Sequence, residues 1–359
     1  MTSQPIVRIA FLDVGQGDSI VVSIPETKEA VVIDCPEADV VFEYLKSQEI
    51  QHVRGLIITH LHLDHYKKTT QFLENCSSQI GTTCERLLLN WAYNSTTALA
   101  PDSDGHSEPS ASARNNSLQR RTSLSELKSW ADRNEAACTP LLRSGTALPL
   151  QGRLASALEV LQPSHGQTGT LQGMGLNNTA AIIRVHGAGT TALLTSDIEP
   201  TGWRELQKRH SNMQSDVLKF PHHGSWKEGG TEADPDDILN SVQPSYVIIS
   251  VGTDGSKKYN HPNPHVFKAL AAHKNIQFFC TQATTQCSIS HALARDLILQ
   301  SWSHHREASQ FVRTESGCPC ASTIIIDLDT QVNVLQPDPT IHFKQIIQPF
   351  LPTHQCLST

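Results

Sequence analysis

The chain has 359 residues, 38% of them hydrophobic, enough apolar side chain for one large core or a core with a small appendage. Its net charge of −7 argues against a broad electrostatic grip on nucleic acid, while leaving room for a local basic patch or a metal-centred phosphate site. No run approaches the roughly 18 apolar residues of a membrane span. The start, MTSQPIVRIAFLD, has no charged segment leading into a signal-type apolar stretch, so the expectations are no membrane partner and a cytoplasmic location. Nine cysteines without the dense spacing of a disulfide scaffold agree with reduced thiols there.

The first elements read as strand Ile6–Leu12, a glycine-rich turn VGQGD, strand Ser19–Ile24 and strand Ala30–Ile33. Apolar residues at helical spacing (Val41, Tyr44, Leu45) predict a helix over Ala38–Lys46. A short buried strand, Gly55–Ile58, then delivers the chain into the loop His60-Leu61-His62-Leu63-Asp64-His65, at the strand end where α/β proteins place their sites. From about 91 to 148 the sequence turns polar and reads as an insertion carrying one helix near Leu124–Ala137. Strands Ala157–Leu161, Ala180–Val185 and Thr191–Leu194 follow, then helix Gly202–Arg209 and strands Val217–Phe220 and Tyr246–Val251. Helix Pro264–His273 and strand Gln277–Cys280 precede a second insertion, about 281–318, and strand Thr323–Leu328 closes the fold. The expected organisation is one domain over 1–336, interrupted by the two insertions, and a proline-rich tail over 337–359. Periodicity alone gives α/β; two β-rich halves, each followed by helices, suggest a four-layer αββα sandwich.

Eighteen histidines, several of them clustered, point to metal chemistry. In His-x-His-x-Asp-His after a strand, His60 and His62 can converge on one cation while Asp64 and His65 face a second. Two cations about 3.5–4 Å apart can share a hydroxide nucleophile, which Asp64 would orient. Asp197 ends an apolar strand at a turn, where a carboxylate is costly to bury unpaired; it can bridge two cations or cap the helix near Gly202. In PHHGS two adjacent imidazoles cannot easily share one metal, so one ligates and the other moves a proton: His223 is favoured as ligand and His222 for proton transfer, with the reverse assignment open. His261, in YNHPNP, either reaches the leaving group or is a loop histidine held by prolines. Cys280, Cys287, Cys318 and Cys320 bracket the second insertion and could hold a structural zinc, against the alternative of buried free thiols.

THLHLDH resembles the signature of the metallo-β-lactamase superfamily. FLDVGQGDSIVV, TSDIEP, FPHHGS and YNHPNP resemble, in the same order, motifs of the soluble hydrolase domain of ComEC-type DNA-uptake proteins. The resemblance implies the αββα sandwich and a two-metal centre, zinc or manganese, with ligands His60, His62, Asp64, His65, Asp197 and His223, Asp197 being the bridge. It implies that Asp34 orients the histidine loop without binding metal. It also implies that the turn bearing Asp13, Gln16 and Asp18 borders the site, where a plain turn is the alternative. Asn177-Asn178-Thr179-Ala180 fits the Asn-Asn-x-Ser segment of ComEC-like proteins, giving Asn178 a place behind the ligands or against substrate. Many superfamily members supply a further histidine from a Pro-Gly-His-Thr turn; Pro163-Ser164-His165-Gly166 imitates it, but the Asn-Asn match is better, which leaves the first metal site less furnished than the second. TSDIEP has Ser196 where relatives often have glycine.

The expected function is a two-metal phosphodiesterase or nuclease, with Asp64 orienting the nucleophile, His222 or His261 protonating the leaving oxygen, and a phosphodiester, nucleic acid or nucleotide as substrate. Arg114, Arg120, Arg121, Lys257 and Lys258 are the available phosphate contacts, or simply a solvated face. The alternatives are a hydrolase of small esters, lactones or β-lactams, and a non-catalytic regulatory module.

Overall fold

A computed structural model of the chain describes residues 5–90, 111–139 (backbone alone over 111–117), 142–163, 175–226, 234–253, 259, 261–284, 286–287, 320–338 and 344. Its first half runs β1 Val7–Phe11, β2 Ile20–Ile24, β3 Glu29–Ile33, α1 Ala38–Ser47, β4 His52–Ile58, α2 Leu63–Tyr66, α3 Thr69–Ile80, β5 Leu87–Leu89, α4 Ala111–Arg133 and β6 Cys138–Thr139. The second half runs α5 Leu154–Ala157, β7 Leu158–Gln162, β8 Ile182–His186, β9 Thr191–Leu194, α6 Pro200–Arg209, β10 Val217–Lys219, α7 Pro235–Val242, β11 Tyr246–Ile249, α8 Pro264–Ala272 and β12 Gln277–Cys280. It ends with β13 Ile324–Leu328 and β14 Val332–Gln336.

Two sheets form: one of eight strands in the order β14-β13-β1-β2-β3-β4-β5-β6, and one of six in the order β12-β11-β10-β9-β8-β7. Residue alternation assigns the layers. Ile9, Phe11, Val22, Ile24, Val31 and Ile33 meet Ile183, Val185, Ala192, Leu194, Val217 and Ile248 between the sheets. Their neighbours Ala10, Val21 and Val32 turn outward onto Val41, Leu45, Phe72 and Leu127 of the helices. On the far side Leu193, Leu218 and Val247 pack on Trp203, Leu206, Ile238 and Phe267. Strands buried on both faces are apolar on both, which is why β2 and β3 are almost wholly apolar, with Ser23 and Glu29 as their polar residues. Each such Leu, Ile or Phe contributes about 1.5–3 kcal/mol by leaving water. The result is the expected αββα sandwich.

The site is positioned by strand direction. β3 and β4 are parallel in the first sheet; β9, β10 and β11 are parallel in the second. Their C-terminal ends lead into Asp34, Thr59-His60, Asp197, His222-His223 and Ser250, so both sheets deliver polar residues at one edge of the sandwich.

The structure departs from the sequence reading in several elements. α4 is 23 residues long, not a short helix near Leu124–Ala137, and it is no mere surface excursion: Leu124, Leu127 and Trp130 are buried against the first helical layer. That stripe is three residues in an otherwise polar segment, too thin to announce a long helix. α3, β5, α7 and β14 add to the expected elements. Most of 281–318, His165, Lys257, Lys258 and Cys318 lie outside the described residues, as does the tail beyond 338 apart from residue 344. Among the described residues no helix is long and apolar enough to cross a membrane.

The four-cysteine zinc site is not supported. Among the described residues Cys280, Cys287 and Cys320 form no group of three ligand atoms close enough to share a metal. Cys287 Sγ instead accepts the Thr284 N–H at 3.1 Å, and burial pushes the Cys280 and Cys287 thiols up, away from the thiolate that zinc requires.

Candidate metal centre

The histidine loop leaves β4 through Thr59, whose amide and hydroxyl both donate to Asp34, at 2.8 and 2.7 Å. Asp34 Oδ2 also accepts from His65 Nδ1 at 2.7 Å. One buried carboxylate at the end of β3 therefore fixes both ends of the loop. His60 Nε2 and His62 Nδ1 converge to 3.1 Å of each other. His65 Nε2 faces the other way, 3.2 Å from Asp197 Oδ2.

From the second sheet, His222 and His223 follow β10 on a turn in which both have left-handed φ, 48° and 52°. Left-handed conformations cost L-residues roughly 1–2 kcal/mol each, and functional sites are where such cost is retained. The turn is held by the His222 amide donating to the Ser196 carbonyl at 3.0 Å and the Asn263 amide donating to Gly224 at 2.8 Å. The twist points the two rings to different places. His223 Nδ1 donates to the Ser250 carbonyl at 2.8 Å, and its Nε2 lies 3.3 Å from Asp197 Oδ2 and 3.6 Å from Asp64 Oδ2. His222 is partly exposed, with Nε2 4.0 Å from Asp197 Oδ2. His261 stacks against the His223 ring and meets the His222 ring edge-on.

Asp197 is thus the hub. Its Oδ2 lies within 4.0 Å of ring nitrogens of His60, His65, His222 and His223. Burial works against every charge here. The imidazoles nevertheless hold the Asp197 carboxyl well below the usual range, and those of His223 and His65 do the same for Asp64. Burial would lower His65 and His223, but Asp197 with Asp34 lifts His65 well above its ordinary value, and Asp197 with Asp64 lifts His223 to about 10. His60 and His62 go down, chiefly through burial.

The donor set fits divalent cations. With Nδ1 of His65 and His223 donating to Asp34 and Ser250, each ring presents a bare Nε2 to a carboxylate, and neither Nε2 makes a hydrogen bond. Two lone pairs aimed at carboxylate oxygens need a positive charge between them, a proton or a metal. Asp64, His65, Asp197 and His223 lie close enough together to hold one ion. His60 and His62 form a second, sparser pair, and among the described residues no third group joins them as closely.

The remaining predicted residues divide. Asp18 reaches the cluster through Lys219. Asp13 accepts from Gln282 Nε2 at 2.7 Å, and Gln16 Oε1 accepts from the Gly252 amide, so both brace the turn against the β11 and β12 ends. Asn178 Oδ1 accepts the Gly202 amide at 2.8 Å, and Asn177 and Asn178 both donate to Glu199. Asn178 is accordingly a brace, and Asp197 does not cap α6, whose N-cap is Glu199. Ser196 has φ 46°, and its hydroxyl donates to Thr59 Oγ1 at 2.8 Å, a local reward for a conformation better suited to glycine.

Lys219, Thr59 and Glu199 join the site without having been among the residues expected there. A lysine inside the apolar strand preceding PHHGS was the available signal for the first.

Gly17 shows how tightly the turn is fitted. It has φ +129°, and a Cβ there would overlap the Asp64 carbonyl oxygen. Gly17→Ala is expected to destabilise the fold by about 1–3 kcal/mol through strain and to displace Asp64. Calorimetry should show the lower melting temperature, and a metal titration the weaker binding; an unchanged titration would mean that Asp64 is placed independently of the turn.

No family model matches the chain. Over 285 residues, 74% of its length, the chain is 24% identical to ComE operon protein 3 of Bacillus subtilis (strain 168). The chain is thus similar to that protein over about three quarters of its own length. It spans about a third of that relative, the match covering 31% of it. Among solved structures it resembles a hydrolase, AbOPH, in the beta lactamase superfamily, 12% identical, with 55% of this chain and 72% of that one covered and a TM-score of 0.33.

Proposed function

We propose that this ComEC-like chain is a metal-dependent hydrolase of phosphodiesters. His60 and His62 would hold one divalent cation, zinc or manganese; Asp64, His65 and His223 would hold another, with Asp197 shared. The observation that carries this reading is the convergence of four imidazoles on one buried carboxylate oxygen. When bound, such cations supply Lewis acidity and lower the pKa of nearby water.

The chain's own residues do the rest. Asp64 is the most exposed carboxylate of the cluster, its side chain 35% accessible; kept ionised by His223 and His65, it can orient an incoming water as a hydrogen-bond acceptor. His222 and His261 line the same opening, and burial lowers both, His261 to about 4. They are neutral at pH 7 and become proton donors only where an anion beside them raises them again, as a phosphodiester oxygen would.

Arg120 supports the anionic substrate. Its carbonyl accepts the Tyr66 hydroxyl at 3.1 Å, which ties α4 to the histidine loop, and its charge is near enough to depress His62. Arg120→Ala should raise KM for a nucleic-acid substrate several-fold with kcat nearly unchanged, and reduce the salt dependence of binding by about one phosphate contact. An unchanged salt slope would remove Arg120 from the substrate path.

The protein loaded with Mn²⁺ or Zn²⁺ should hydrolyse bis-p-nitrophenyl phosphate but neither nitrocefin nor lactones, and a panel of single- and double-stranded DNA, RNA and cyclic dinucleotides should then identify the polymer or nucleotide. Turnover of nitrocefin or lactones alone would replace the phosphodiester by a carboxylic substrate. Metal content near zero after chelator-free purification, with no turnover of any of these, would point to a regulatory module.

A further inference from the structure

Lys219 lies at the end of β10 with no exposed surface. Strand alternation explains its direction: Leu218 packs on the outer helices, so Lys219 turns toward the inter-sheet side, where the site lies. A buried ammonium is costly unless surrounded by acceptors. Lys219 Nζ forms a short ion pair with Asp18 Oδ2, donates to the Ser196 carbonyl at 3.0 Å and lies 3.6 Å from Asp197 Oδ1.

Two ligand-rich groups meet at this point. One is Asp64, His65, Asp197 and His223; the other is Asp18, Asp34 and His65. The second group has its positive charge already in place, because Lys219 sits on Asp18. The two oxygens of Asp197 are thereby divided, Oδ1 toward the ammonium and Oδ2 toward the four imidazoles.

We propose that Lys219 is the centre's built-in cation: a positioning residue that, anchored by Asp18 and the Ser196 carbonyl, holds Asp197 Oδ1 so that Asp197 offers only Oδ2 to the cations. This rests on the metal-centre reading. A carboxylate fixed in advance loses little freedom when a cation arrives, so the anchoring strengthens binding even though the ammonium is itself positive.

The test separates anchoring from charge. Asp18→Asn combined with Lys219→Met removes one negative and one positive group together, leaving net charge unchanged and no lone buried ion. Binding of Mn²⁺ and of Zn²⁺ is measured by competition with a chromophoric chelator, beside the melting temperature of the metal-free protein. The expected result is a metal-free melting temperature within a few degrees of wild type and at least tenfold weaker metal binding. Affinity within twofold of wild type would make Lys219 only the structural partner of Asp18 and overturn the proposal. Should the double variant not fold, Asp18→Asn with Lys219→Gln, which keeps a donor for the Ser196 carbonyl, is read in the same way, with at least threefold weakening expected and wild-type affinity again overturning it. A wild-type protein that binds neither metal would instead overturn the metal-centre reading itself.

Discussion

Asp197→Ala and Asp197→Asn are each expected to lower metal-dependent turnover by about a thousandfold or more and to leave less than one equivalent of metal bound per chain. The magnitude follows from the hub geometry, in which one oxygen faces nitrogens from both halves of the donor set. Cations clamping a reacting centre are worth several kcal/mol of transition-state stabilisation, and ~4 kcal/mol is about a thousandfold in rate. Unfolding is not the expected cause of the loss. Without the Asp197 charge, His65 and His223 lose much of what raises them, and can bury as neutral rings. Lys219 retains Asp18. Asparagine keeps the shape and removes only the charge, so circular dichroism of that variant should superimpose on wild type while elemental analysis shows the missing metal. Full activity of Asp197→Ala with Mn²⁺ or Zn²⁺ supplied would end the two-metal proposal.

Much of this centre was legible because its ligand types are dense and local. Four candidate ligands within six residues cannot easily be read as a surface loop, and Asp34, Asp197 and His223 stand at strand ends that periodicity alone locates. What could not be read was how distant segments share groups. That Asp34 serves Thr59 and His65 together depends on β3 and β4 being parallel neighbours. That Lys219 belongs to the site depends on the two sheets facing each other, since within its own strand it looks like an interruption of an apolar run. The rings of His222 and His223 could be told apart only by the left-handed turn, which sends one Nδ1 to the Ser250 carbonyl and leaves the other ring near the opening. In the fold, α4 was underestimated because three buried apolar residues carry a helix whose remaining composition is that of a loop.

Binding of metal at neutral pH should release protons, up to two per chain, and the apparent affinity should climb steeply with pH. In the metal-free protein Nε2 of His65 and of His223 faces a carboxylate, and the raised pKa of each ring means that a proton on Nε2 takes the cation's place. A metal can occupy that position only by displacing them. The sign of the stability effect follows. Both groups have folded-state pKa values above the unfolded value of about 6.5, so their contribution is complete below that pH and is lost as pH rises toward the folded value, about 10 for His223. The metal-free protein should therefore lose stability between pH 6.5 and about 10, while metal affinity over the same range rises by up to about a hundredfold per pH unit. Titration calorimetry in buffers of different ionisation enthalpy counts the protons directly. His223→Gln should remove one of them, because only one ring is lost. Release of no protons at pH 7 would mean that the two imidazoles are already neutral in the empty centre, with the charge facing Asp197 supplied by Lys219 alone.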